Sequence, residues 1–197
     1  MVRVKFNLPE RVRNILLAPR REWLAIEREF TEPAFLFTRY VAVLALIPAL
    51  AGFIGSSLVG VKVSAGTFRE PLVSGFASAA IGYLLSFVIV YVTALVIDSL
   101  APRFDGRRNF MQALKLSAYA HTPVWLAGIF LVVPGLRFLT VLSFYGGYLL
   151  WTGLPVLMGV PRPRALLLAA AIVIVTVIAT VSLAIVTHFV FSMSRGI

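Results

Sequence analysis

Lys115, Ser117, Tyr119, His121, Thr122 and Pro123 fall close together inside an otherwise apolar run. Side chains of these types could move protons or pass a polar solute along a membrane path. Pro123 lacks an N–H, which frees the carbonyl one turn earlier, near Tyr119, and that oxygen needs a neighbour, a hydroxyl or water. Tyr145, Tyr148 and Thr152 follow at helical spacing. A tight connection between the two segments would let all of these residues border one polar cleft. The simpler alternative makes Phe110–Tyr119 a partly interfacial helix with the Lys115 stem snorkelling to water. Asp98 is the only carboxylate touching an apolar run, at a helix C-terminus where the macrodipole disfavours it. It calls for a cation, with Lys115, Arg103, Arg107 and Arg108 in reach.

Most catalytic chemistries find no support. The 197 residues include no cysteine, which removes disulfides, thiolate metal sites and thiol catalysis together. No His-Glu-x-x-His, Gly-x-Ser-x-Gly or Gly-x-x-x-x-Gly-Lys-Ser/Thr run occurs. The two histidines, His121 and His188, are expected on separate helices and form no metal site, and His188 reads as a structural interfacial residue. The expectation is therefore a non-enzyme without metal or cofactor.

Composition decides the setting for these residues. Side chains are 60% hydrophobic and only 13% charged, against roughly a quarter charged in soluble domains. Five apolar runs reach the ~20 residues that a helix needs to cross a bilayer: Tyr40–Gly60, Leu72–Ile97, Phe110–Val133, Arg137–Gly159 and Ala165–Phe191. The expected fold is thus an all-α membrane bundle of five transmembrane helices over residues 39–197, preceded by a cytoplasmic amphipathic tail, residues 1–38. Links at Pro134-Gly135 and Pro161–Arg164 make the flanking spans antiparallel neighbours. No cleavable signal peptide is expected in the tail, so the first span is an uncleaved anchor.

Lys and Arg number 18 against 8 acids, giving a net charge of +10. In a soluble chain this would suggest nucleic acid. Here the bases sit in a tail and short loops, which indicates topology and anionic lipid instead. Their uneven distribution puts the amino terminus in the cytoplasm, the carboxyl terminus outside, and the chain in the cell membrane. Headgroup contacts are expected from Arg20, Arg21 and Trp23 in the tail and from Arg107, Arg108, Arg162 and Arg164 in the loops. The tail reads as an interfacial helix, with partner docking as the alternative. Small residues recur every four positions at Gly52, Ser56 and Gly60, and again at Ser74, Ser78, Gly82 and Ser86, as in closely packed membrane helices.

The run Phe104–Phe130, with Phe104-Asp105-Gly106-Arg107-Arg108 leading into Ser117-Ala118-Tyr119-Ala120-His121-Thr122-Pro123, resembles the central segment of the Yip (Ypt/Rab-interacting) membrane protein family in its prokaryotic branch. Pro134-Gly135, Tyr145–Pro155 and Leu17–Trp23 fit the same pattern. The resemblance implies five membrane helices and a cytosolic amino terminus. Eukaryotic members associate with Rab-type GTPases through a longer cytosolic region. This tail lacks that region, so GTPase binding does not carry over, and the family supplies no catalytic residues.

Two functions remain. One is a non-enzymatic protein that organises membrane or docks a lipid or a protein partner, itself or another. The alternative is a small transporter, channel or lipid scramblase using the cleft between spans three and four. They differ in whether the polar residues line a wet cavity or satisfy one another across a packed interface.

Overall fold

The computed structural model describes residues 6–63 and 66–195, without the side chains of 61–63, 184 and 186–195, so the expectation for His188 lies outside the described residues. The tail forms two helices, α1 (Leu8–Leu17) and α2 (Pro19–Arg28), each opened by a proline in its first turn. Proline suits that position because its missing N–H is an orphan there anyway. α3 (Pro33–Leu36), a π-helical turn, α4 (Ala42–Phe53) and a second π-helical turn make one apolar stretch, Pro33–Val59. A small hairpin follows, with β1 (Val61–Val63) antiparallel to β2 (Gly66–Phe68). Then come α5 (Leu72–Leu100), α6 (Phe110–Ala120), α7 (Thr122–Ala127), two 3₁₀ segments (Gly128–Val132 and Pro134–Phe144), α8 (Tyr145–Leu157) and α9 (Arg162–Arg195).

The molecule is an all-α membrane protein, but the expected count of five spans needs correction. Among the described residues, four stretches are long and apolar enough to cross: Pro33–Val59, Leu72–Phe104, Pro134–Leu157 and Arg162–Leu183. The expected third span, Phe110–Val133, is broken into α6, α7 and a 3₁₀ turn. Pro123 restarts the helix just after His121. In addition, every residue from Ala113 to Ala120 is buried. A helix closed on all sides has no face left for lipid, so α6 is the centre of the bundle rather than part of its wall.

Packing is concentrated at one end. Apart from Gly75, the buried residues of α5 are Val90, Thr93, Ala94 and Ile97, all in its second half. Among the described residues those of α9 are Ala165, Leu168, Ala169 and Ile172, in its first third. The two loops at this end are tied together, the Arg107 amide donating to the Met158 carbonyl at 2.7 Å and Arg164 pairing with Asp105. Toward the other end α5 and α9 separate, and a cavity of about 1140 Å³ opens between them, floored by His121 and Trp125.

That separation corrects the small-residue rows. A Cβ at Gly52 or Gly82 would meet nothing within 4 Å. Gly82 belongs to the inward stripe of α5, but with Ser78 and Ser86 it borders the cavity rather than another helix. Close backbone approach occurs instead at Gly55, where a Cβ would lie 1.9 Å from the Leu131 carbonyl oxygen, and at Gly75, 2.0 Å from Ser57 Oγ. Gly55→Ala is therefore expected to cost about 1–3 kcal/mol through overpacking against backbone. Gly82→Ala should be neutral or gain up to about 1 kcal/mol of helix propensity. Thermal unfolding in detergent reads both, and an unaffected Gly55→Ala would contradict the Gly55–Leu131 contact.

Candidate functional site

The residues singled out around Pro123 do come together, but much of what they bind is the tail. Trp23 is fully buried, with its ring against Gly153 and its indole N–H donating to Thr152 Oγ1 at 3.2 Å. It is therefore core, which corrects its assignment to lipid headgroups. The reason lies in its spacing: Pro19, Trp23 and Ile26 form the buried stripe of α2, and that stripe meets α8. Tyr145 Oη donates to the Leu16 carbonyl at 2.8 Å, holding the end of α1. Tyr148 lies between the rings of Tyr145 and Trp151.

Lys115 neither snorkels nor pairs with Asp98. Only 3% exposed, it donates from Nζ to the Ile26 carbonyl at 2.9 Å and the Glu29 carbonyl at 2.5 Å. Gln112, one turn earlier, donates from Nε2 to the Glu27 carbonyl at 3.1 Å. The last carbonyls of a helix have no intrahelical partner, and a cation there also meets the negative end of the macrodipole. Lys115 and Gln112 thus cap α2 from α6. Asp98 pairs instead with Arg108 at 3.3 Å, an exposed contact.

A second ionic group had no part in the sequence reading. Arg11, 8% exposed, bridges Glu22 at 2.6 Å and also pairs with Glu29, its guanidinium lying 5.8 Å from the centre of the Tyr119 ring. Burial works against this charge, yet the bond to Glu29 and the surrounding groups hold the guanidinium above its ordinary pKa.

The carbonyl freed by Pro123 is met from within. Thr122 Oγ1 donates to the Tyr119 carbonyl at 2.7 Å. With that proton committed, Tyr40 Oη must be the donor in its 2.6 Å bond to Thr122 Oγ1. Tyr40, Tyr119, Trp23 and Trp125 then pack edge to face, Tyr40 and Tyr119 at 4.6 Å between centroids. Pro123 is buried at the start of α7. His121 stands apart from this group: Nδ1 meets the Ser117 carbonyl at 2.8 Å, and the ring borders the cavity. Of the residues expected to line a polar cleft, His121 alone is in the lining of that cavity.

The arginines expected at headgroups are all exposed, Arg20 and Arg21 on α2, Arg107 and Arg108 before α6, Arg162 and Arg164 at the start of α9. No group of three or more metal-capable acids and histidines occurs among the described residues.

Comparison with known proteins agrees with a membrane protein. The family model for the Yip1 domain matches residues 13–183. Inner membrane protein YohC of Escherichia coli strain K12 is 29% identical over 153 residues, covering 75% of this chain and 78% of its own. The protein of the same name from E. coli O6:H1 matches equally. No solved structure matches.

Proposed function

The chain belongs to the Yip1 domain family, and from that premise we propose that it is a non-enzymatic protein of the inner, cytoplasmic membrane that uses its basic end to bind anionic lipid and dock a partner protein. Its amino terminus faces the cytoplasm, as the uneven distribution of bases favours. One observation carries the reading: the polar residues that could have lined a conduit are spent on holding the tail or on local bonds. Lys115 caps α2, Tyr145 holds α1, Thr152 receives the Trp23 indole and Thr122 serves the Tyr119 carbonyl. Such groups are satisfied across packed contacts and offer no continuous polar lining for an ion or solute. Meanwhile Arg107 and Arg108 before α6 and Arg162 and Arg164 at the start of α9 are exposed at one end of the molecule.

In proteoliposomes the protein should produce no flux of ions or fluorescent lipid above empty vesicles. Protein in neutral nanodiscs should bind anionic vesicles, and added salt should weaken that binding. Each base near the surface contributes about 1 kcal/mol, so glutamine at Arg107, Arg108 and Arg162 together should lower affinity on the order of a hundredfold. Flux that falls when His121 is replaced would establish transport instead. Binding indifferent to salt and to these arginines would remove the lipid role.

A further inference from the structure

The cavity between α5 and α9 plays no part in holding the tail, and its walls have a definite chemistry. It is lined by the inward stripe of α5 from Ser78 to Thr93, by α9 from Val173 to Leu183 and by residues 140–150 leading into α8, with His121 and Trp125 as floor. Most lining hydroxyls are already satisfied close by. Ser86 Oγ donates to the Gly82 carbonyl, Thr180 Oγ1 to the Thr176 carbonyl and Thr140 Oγ1 to the Arg137 carbonyl. The deep end is closed where Thr93 and Thr176 meet at 3.3 Å. A wall whose polar groups are spent in this way presents apolar surface to whatever fills it.

Length and charge choose the occupant. From Ser78 to Thr93 a helix rises about 22 Å, which is half of the ~40–45 Å bilayer counted with its headgroups. The groove is thus about as long as one leaflet is thick. At its mouth stands Glu70, a carboxylate within 3.4 Å of the Ser78 hydroxyl. A carboxylate repels an anionic headgroup and attracts an ammonium. We propose that this groove binds a single phospholipid of the leaflet opposite the tail, its acyl chains against α5 and α9 and an amine-bearing headgroup, such as ethanolamine, at Glu70. The site is separate from the arginine loops and opposite to them in charge preference.

The test uses whole protein in nanodiscs of mixed phosphatidylethanolamine and phosphatidylglycerol, released into mild detergent and weighed by native mass spectrometry. The parent should retain one phospholipid, severalfold enriched in the ethanolamine form. Gly82→Trp fills the groove where an added side chain meets open space, and it should lose most of that lipid. Glu70→Gln should keep the lipid and lose the headgroup preference. As a check independent of folding in the variant, ethanolamine lipid brominated on its chains should quench the parent's tryptophan fluorescence, and Trp125→Phe should remove that part of the quenching. A parent that retains no lipid, or a Gly82→Trp protein that folds and retains as much, overturns the site. So does a parent dimer that Gly82→Trp converts to monomer, because a second copy then fills the groove. An unchanged preference in Glu70→Gln overturns the headgroup assignment. The site rests on the reading of a protein without a conduit, but the two fail separately: flux in proteoliposomes defeats that reading, whereas loss of retained lipid defeats only this one.

Discussion

Replacing Trp23 by alanine is expected to destabilise the whole bundle by about 3–5 kcal/mol, the cost of truncating a fully buried large aromatic that leaves a cavity behind. Trp23 is 0% exposed, packs on Gly153 in the centre of the molecule, and lies edge to face with Tyr119. Its lost N–H bond adds little, because the Thr152 hydroxyl keeps the Tyr148 and Leu149 carbonyls as acceptors. The unfolding midpoint in detergent should fall by roughly 6–20 °C, at about 2–4 °C per kcal/mol for a chain of this size. Leu24→Ala, next in sequence but half exposed, should change it little. A headgroup anchor predicts the reverse: Trp23→Ala would leave stability intact and weaken only attachment to the bilayer. Equal midpoints for the two variants would therefore return the tail to the membrane surface.

Trp23 also marks where the sequence could be read and where it could not. The stripe of Pro19, Trp23 and Ile26 shows in the spacing, and so does the amphipathic character of α2. What the stripe packs against does not, because an amphipathic helix beside a membrane can bury its apolar face in lipid or in protein equally well. The choice is made by residues far away. Gly153 leaves room for the indole, and Lys115 with Gln112 completes the C-terminus of α2 from another helix. The demand that Pro123 places on its surroundings was legible as far as the Tyr119 carbonyl, since a missing N–H is a local fact. Its answer was also local, in the next-door Thr122 hydroxyl.

The same division explains the span count. Apolar length identifies Leu72–Phe104 and Arg162–Leu183 because lipid tolerates any helix that is apolar all round. It equally selects Phe110–Val133, for a helix enclosed by protein is as apolar as one bathed in lipid. The clue that separates them is the polar content of α6, which protein can satisfy and hydrocarbon cannot. Small-residue spacing failed for a related reason. Gly82 and Gly75 share one stripe, but only the second has a helix opposite it.

Arg11→Met should be as damaging as Trp23→Ala, at about 3–5 kcal/mol, because removing one member of a buried ionic group strands the others. Glu22 and Glu29 converge on this guanidinium from two points of the hairpin, with side chains 13% and 23% exposed. Without it the two carboxylates face each other beneath the Tyr119 ring. Arg11→Lys should recover only part of the loss, since an ammonium cannot present the planar fork that engages both acids at once. The decisive comparison is the triple variant Arg11→Met, Glu22→Gln, Glu29→Gln. Buried ion groups replaced as a set are often neutral in stability, so this protein should unfold nearer to the parent than Arg11→Met alone. If the triple variant is as unstable as the single one, Arg11 acts through the packing of its stem on Tyr119 rather than through charge. The tail would then be held by shape alone.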